Sequence, residues 1–176
     1  MAIDSAPART PSRARALFSF PNPVNEVSAR LVAAGVVVMS VLTIALDLRW
    51  ATIVIAYGFV ARVLTGPTLS PLGQFVTRVV TPRLGIAERP VAGPPKRFAQ
   101  GMGVAFSVTA LVLTGLGYWT AAEVFLGLLA SAAFLESAFG LCLGCKAFAV
   151  LMRVGVVPEE VCERCNDIWG THAAAA

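Results

Sequence analysis

The chain has 176 residues, of which 57% are hydrophobic and only 14% charged, where a soluble domain carries about 25% charged. With a mean hydropathy of +0.75, this composition excludes an ordinary water-soluble enzyme and predicts a chain solvated mainly by lipid. A net charge of +4 would suit a nucleic-acid binder, but the basic residues flank apolar runs, so membrane topology explains them and no nucleic-acid partner is expected.

The first twenty-one residues, MAIDSAPARTPSRARALFSFP, are rich in Arg, Ser and Pro and hold no long apolar segment. They lack the apolar core of a cleaved signal and are expected to form a disordered tail, 1–21. Four apolar runs follow: Ala29 to Leu46, Ala51 to Leu64, Ala99 to Tyr118 and Ala121 to Leu143. A bilayer core takes about 20 helical residues. The third and fourth runs meet that length, and the first two are short enough to need flanking residues or a locally thinned bilayer.

Short turns predict two helical hairpins. Asp47-Leu48-Arg49-Trp50 joins the first two runs, with Asp47 as a cap for the second helix and Trp50 at the interface. Gly117-Tyr118-Trp119-Thr120 joins the last two, and Thr120 with Glu123 reads as a capping box. In the long middle connection, Ser70-Pro71 is a cap followed by proline at the first helical position. Leu72, Phe75, Val76, Val79 and Val80 then repeat at helical spacing. This predicts a short helix, Pro71 to Val80, lying on the membrane surface or packed on the protein itself. Pro82 to Pro95 reads as an exposed loop.

Basic residues set the orientation. Arg9, Arg13, Arg15 and Arg30 lie in the amino-terminal segment up to the start of the first run; Arg78, Arg83, Arg89, Lys96 and Arg97 lie in the middle connection; Lys146, Arg153 and Arg164 follow the fourth. The short turns contribute only Arg49. The positive-inside rule then places both termini and the middle connection in the cytoplasm, for a multi-pass protein of the inner membrane. The expected fold is all-α: a four-helix transmembrane domain over 22–153, a surface helix, and a cytoplasmic cysteine-containing tail over 154–176 with its own short helix from Pro158.

Several of these pieces carry a resemblance: Arg62-Val-Leu-Thr-Gly-Pro-Thr-Leu-Ser-Pro-Leu-Gly73, then Pro95-Lys-Arg-Phe-Ala99, then Leu135-Glu136 leading to Cys142-Leu-Gly-Cys145-Lys146. In order and spacing they resemble a family of small bacterial integral membrane proteins of unknown function, frequent in actinobacteria, from about Asn22 to Arg153. The resemblance implies four membrane helices and no established activity.

The four cysteines form two pairs, CLGC (Cys142, Cys145) and CERC (Cys162, Cys165), separated by sixteen residues. That spacing matches a four-thiolate zinc site, and an iron–sulfur cluster accepts the same ligand set. A cytoplasmic position argues against a permanent disulfide and leaves metal binding, reversible thiol chemistry, or plain packing. In a continuous fourth helix, Cys142 and Cys145 sit near the end that disfavours a thiolate, and CERC is better placed. The metal reading comes first: zinc joining the tail to helix four. A thiol-disulfide or sulfur-relay protein served by a thioredoxin-like partner is the second reading, and an accessory subunit of a larger membrane complex the third.

Two intramembrane charges stand out. Arg62 and Glu136 fall at similar depth near the cytoplasmic end, where an unpaired ion costs at least about 2.5 kcal/mol. They are expected to form an ion pair, or Glu136 to handle protons in a polar pocket beside CLGC. Small residues at Gly127, Ser131, Ala133, Ser137, Gly140 and Gly144 predict close helix packing along run four. His172, the single histidine, falls in the terminal tail, so no histidine triad for a metal is available.

Overall fold

A computed structural model describes residues 22–157 of the chain. The tail 1–21 and the segment after 157, with Cys162, Cys165 and His172, lie outside the described residues. One short antiparallel strand pair, β1 (Val24–Asn25) with β2 (Pro90–Val91), sets Val24 opposite Val91. The other regular elements described are helical: α1 (Glu26–Ala45), α2 (Ala51–Thr65), α3 (Pro71–Phe75), a π-helical turn (Val76–Val80), α4 (Thr81–Leu84), α5 (Gly93–Gly115), α6 (Trp119–Phe139) and α7 (Leu143–Arg153).

α1, α5 and α6, with 20, 23 and 21 residues, are long and apolar enough to cross a membrane. α2 has 15 residues, about 22 Å of helix, which falls short of a hydrocarbon core of about 30 Å. Only 33%, 17% and 22% of the apolar windows of the three long helices are buried inside the protein. The outward faces carry Val38, Leu42, Val112, Val124 and Leu128. In water that surface would drive aggregation, whereas hydrocarbon tails solvate it without penalty.

α1 packs chiefly on α6, α2 on α5, and α5 on α6. The short connections are where the sequence predicts them, but the main neighbour of α1 comes from the other half of the chain. Val36, Ile55, Phe59, Ala110, Leu126 and Leu129 form the shared core. Close approach depends on Gly103, where an added Cβ would collide with the Phe59 ring.

The helix starts follow local chemistry. Asn25 Oδ1 accepts the Val27 N–H at 3.0 Å and caps α1. Ser70 Oγ accepts the Gly73 N–H at 3.2 Å ahead of Pro71, as the sequence predicts. Two expected caps are not made. Asp47 turns at φ 50° and faces Arg49 at 3.3 Å, and the Leu48 carbonyl takes the Ala51 N–H instead. α6 begins at Trp119, ahead of Thr120, with no side-chain cap.

The surface helix runs on through the π turn to Leu84. It rests on the protein: Leu72 sits over Gly35 of α1, where a Cβ would be 2.7 Å from its Cδ1. Ser28 and Thr81 hydroxyls join at 3.0 Å. The exposed loop is shorter than expected because α5 starts at Gly93, not Ala99, with prolines in its first turn, where their missing N–H groups are not needed.

The largest departure is in the fourth run. The sequence predicts one helix from Ala121 to Leu143, but α6 ends at Phe139. Gly140 takes φ 68°, its N–H meets the Glu136 carbonyl at 3.0 Å, and the Leu141 N–H meets that of Leu135 at 3.1 Å. This glycine stop closes α6 and releases a separate helix, α7. One end of the bundle thus gathers Arg30, Arg62, Lys96, Arg97 and Lys146. The other presents Trp50, Tyr118 and Trp119, with the Arg49 guanidinium 5.3 Å over the Trp119 ring.

Candidate functional site: a dithiol at the start of the seventh helix

Cys142 is the residue from which α7 starts. Its backbone is extended (φ −78°, ψ 101°), and its Sγ accepts the Cys145 N–H at 3.4 Å, so sulfur occupies the position of an N-cap oxygen. Cys145 lies one turn on, with its Sγ 2.7 Å from that of Cys142. Cys142 is buried and Cys145 half-buried. The break at Gly140 reverses the electrostatic expectation for this pair. Instead of the carboxyl end of a long helix, the sulfurs occupy the amino end of a short one, where unpaired N–H groups and the helix dipole favour negative charge.

The two thiols are not equivalent. The hydrogen bond from the Cys145 thiol holds Cys142 below the ordinary thiol range, outweighing burial and the charge of Glu136, with Lys96 and the Cys145 N–H assisting. Cys145, as donor of that bond and itself desolvated, is pushed up.

α7 is seated on the first turns of α5. Gly144 allows this contact, since a Cβ there would lie 2.5 Å from Ala99 Cα and Cβ. Phe148 meets Phe98 with ring centroids 5.6 Å apart, and Met152 extends the apolar seat.

The expected Arg62–Glu136 contact is replaced by another pair. Lys96 Nζ donates to Glu136 Oε1 at 2.6 Å, with both side chains largely buried. Arg62 Nε donates instead to Gln100 Oε1 at 3.0 Å and Nη1 to Ser70 Oγ at 3.1 Å. The guanidinium lies 4.4 Å over the Phe59 ring. The cause is the early start of α5, which carries Lys96 to the level of Glu136. Arg62 projects from α2, whose main neighbour is α5, and so finds Gln100 there.

A cavity of about 230 Å³ lies among α1, α2, α5 and α6. Val32, Phe59, Phe106 and Leu129 form its apolar wall, and Arg62, Gln100, Glu136 and Cys142 line it as well. A larger cavity of about 340 Å³ lies between α1, α2 and α3; it reaches Arg62 but no cysteine. The smaller one is therefore the one that bears on thiol chemistry.

Three contributors escape a reading of the sequence. Lys96 looks like a topology charge after two prolines, yet proline at the first helical positions is itself a start signal. Gln100 carries no charge to attract notice. Arg30 donates to the Ser137 carbonyl at 3.2 and 3.1 Å and to that of Ala138 at 3.0 Å, tying α1 to the last turn of α6. Among the described residues, no three His, Cys, Asp or Glu side chains converge as a metal site; Cys162 and Cys165 are not among those residues.

Fold and site together define a helical protein of the membrane-crossing kind, with a dithiol at the basic end of its bundle. The chain belongs to the family described as "Domain of unknown function (DUF4395)", which matches residues 24–153, in agreement with the resemblance to an uncharacterised family. No curated protein and no solved structure matches the chain.

Proposed function

We propose that the chain is an integral membrane thiol–disulfide protein, with Cys142 as the attacking sulfur and Cys145 as the resolving one. One observation carries this reading: Cys142 Sγ caps α7 and receives both the N–H and the thiol of Cys145. A thiolate at a helix start with a second thiol in reach is the arrangement that disulfide exchange needs. Cys142 attacks a partner disulfide, one partner sulfur leaves as thiolate, and a mixed disulfide remains. Cys145 then attacks Cys142 Sγ, releasing the second partner sulfur and closing the Cys142–Cys145 bond. Two electrons pass to the partner. Glu136, on the cavity wall beside Cys142, accepts and returns the thiol proton, with Lys96 holding its carboxylate in place.

The same reading sets four helices across the inner membrane, with α2 spanning a thinned region, and both termini and the dithiol in the cytoplasm. The basic end of the bundle supports that orientation. A thioredoxin-like thiol protein is the fitting partner there.

The purified protein, equilibrated in glutathione buffers of graded redox ratio and then alkylated, is expected to show a Cys142–Cys145 disulfide by peptide mass. A pair that stays open even in fully oxidised glutathione would overturn the redox role. A second reading rests on the sixteen-residue spacing between CLGC and CERC, which suits a four-thiolate zinc site with Cys162 and Cys165. Stoichiometric zinc in the purified protein, lost in Cys142→Ser and Cys162→Ser alike, would favour it.

A further inference from the structure

We infer that the cavity beside Cys142 binds the ring of a membrane quinone, and that the Cys142–Cys145 dithiol reduces it. The inference rests on the thiol–disulfide reading above, with that exchange running in reverse from a partner dithiol to the Cys142–Cys145 pair, and adds the electron acceptor. The cavity lies among four apolar helices, so a ligand of that space is one that dissolves in lipid. An apolar cavity of about 150 Å³ already admits benzene, so 230 Å³ has room for a substituted ring. Phe59 and Phe106 line the cavity with aromatic side chains. Arg62 and Gln100 supply donors suited to a ring carbonyl, and Glu136 supplies a proton carrier. Cys142 lines the same cavity, so the reactive sulfur and the ring share one space. A simple lipid tail would need neither the buried guanidinium nor the thiol.

The step balances. Cys142 Sγ adds to a ring carbon; a C–S bond forms, and the electron pair moves to a carbonyl oxygen, which takes a proton. Cys145 then attacks Cys142 Sγ. The S–S bond forms, the C–S bond breaks with its pair returning to the ring, and the second carbonyl oxygen takes a proton. Dithiol plus quinone become disulfide plus quinol, with two electrons and the two thiol protons transferred. A substrate dithiol restores the pair by exchange.

The test uses reduced full-length protein in lipid nanodiscs, without oxygen, mixed with decylubiquinone. One quinone is expected to disappear, by its ultraviolet absorbance, for each Cys142–Cys145 disulfide found by mass. Ala132→Phe, which fills the cavity from a half-buried position, is expected to slow that reaction at least tenfold while oxidation by diamide stays as fast as in the native chain. Photolysis of an azidoquinone in the native protein, needing no variant, is expected to label peptides containing Ala29–Val36 or Leu128–Ala133. If diamide closes the pair but decylubiquinone is not consumed, or the label falls only elsewhere, the quinone site is overturned and the dithiol stands. If diamide itself cannot close the pair, the thiol–disulfide reading falls and this inference with it.

Discussion

A sulfur that caps its own helix is under two influences at once. The backbone N–H groups of the first turn and the neighbouring thiol both stabilise its anion, and burial opposes them. At Cys142 the hydrogen bonds win, so its thiolate forms at lower pH than an ordinary thiol, while Cys145 keeps its proton to higher pH. Iodoacetamide labelling followed by peptide mass should therefore show Cys142 modified first as pH rises, with Cys145 following only at markedly higher pH. Replacing Cys145 with Ala removes the donor and should move the Cys142 profile upward. Labelling of Cys145 ahead of Cys142 would exchange their roles. The sequence displays this pair openly, yet conceals its setting, because Phe139-Gly-Leu-Cys-Leu143 continues the apolar run without a polar break. Only the backbone at Gly140 reveals that one helix has ended and another has begun. Lys96 is hidden for a related reason: two prolines suggest a loop where they in fact open α5.

At the level of elements, the placement of the dithiol depends on how closely α7 can lie on α5. Gly144 meets Ala99 with no room for a methyl group, and the blocking atoms include backbone. Gly144→Ala must therefore lift α7 rather than turn a side chain aside, at a cost of about 1–3 kcal/mol for an overpacked contact. A lowered thermal midpoint is expected, together with faster alkylation of Cys145 as its cover opens. Adding Ala99→Gly should restore part of the loss and no more, because Ala99 Cα stays in the way. A full restoration, or no loss at all, would show that the contact is looser than described. The small-residue steps along run four signal close packing in the sequence. They do not tell which partner is approached, since Gly144 belongs to a different helix from Gly127 and Ser131.

For the molecule as a whole, charge and aromaticity divide the two ends. Composition and hydropathy already point to lipid, and helix positions follow from the apolar runs to within a few residues except at Gly93 and Gly140. What the runs do not encode is adjacency, because each outward face is apolar whichever helix lies beside it. The orientation proposed above makes a direct prediction. In intact cells an impermeant maleimide should leave Cys142 and Cys145 unmodified and should label a cysteine placed at Gly117 in the aromatic turn. Inside-out vesicles should give the reverse. External labelling of Cys145 would turn the whole bundle over. At that basic end two helices meet almost nose to tail at Gly140, and the negative tip of α6 would on its own discourage a thiolate on the next residue but one. The guanidinium of Arg30 covers the Ser137 and Ala138 carbonyls at that tip. It acts as an insulator, so that the sulfur of Cys142 responds to the helix it opens and is shielded from the one that has just closed.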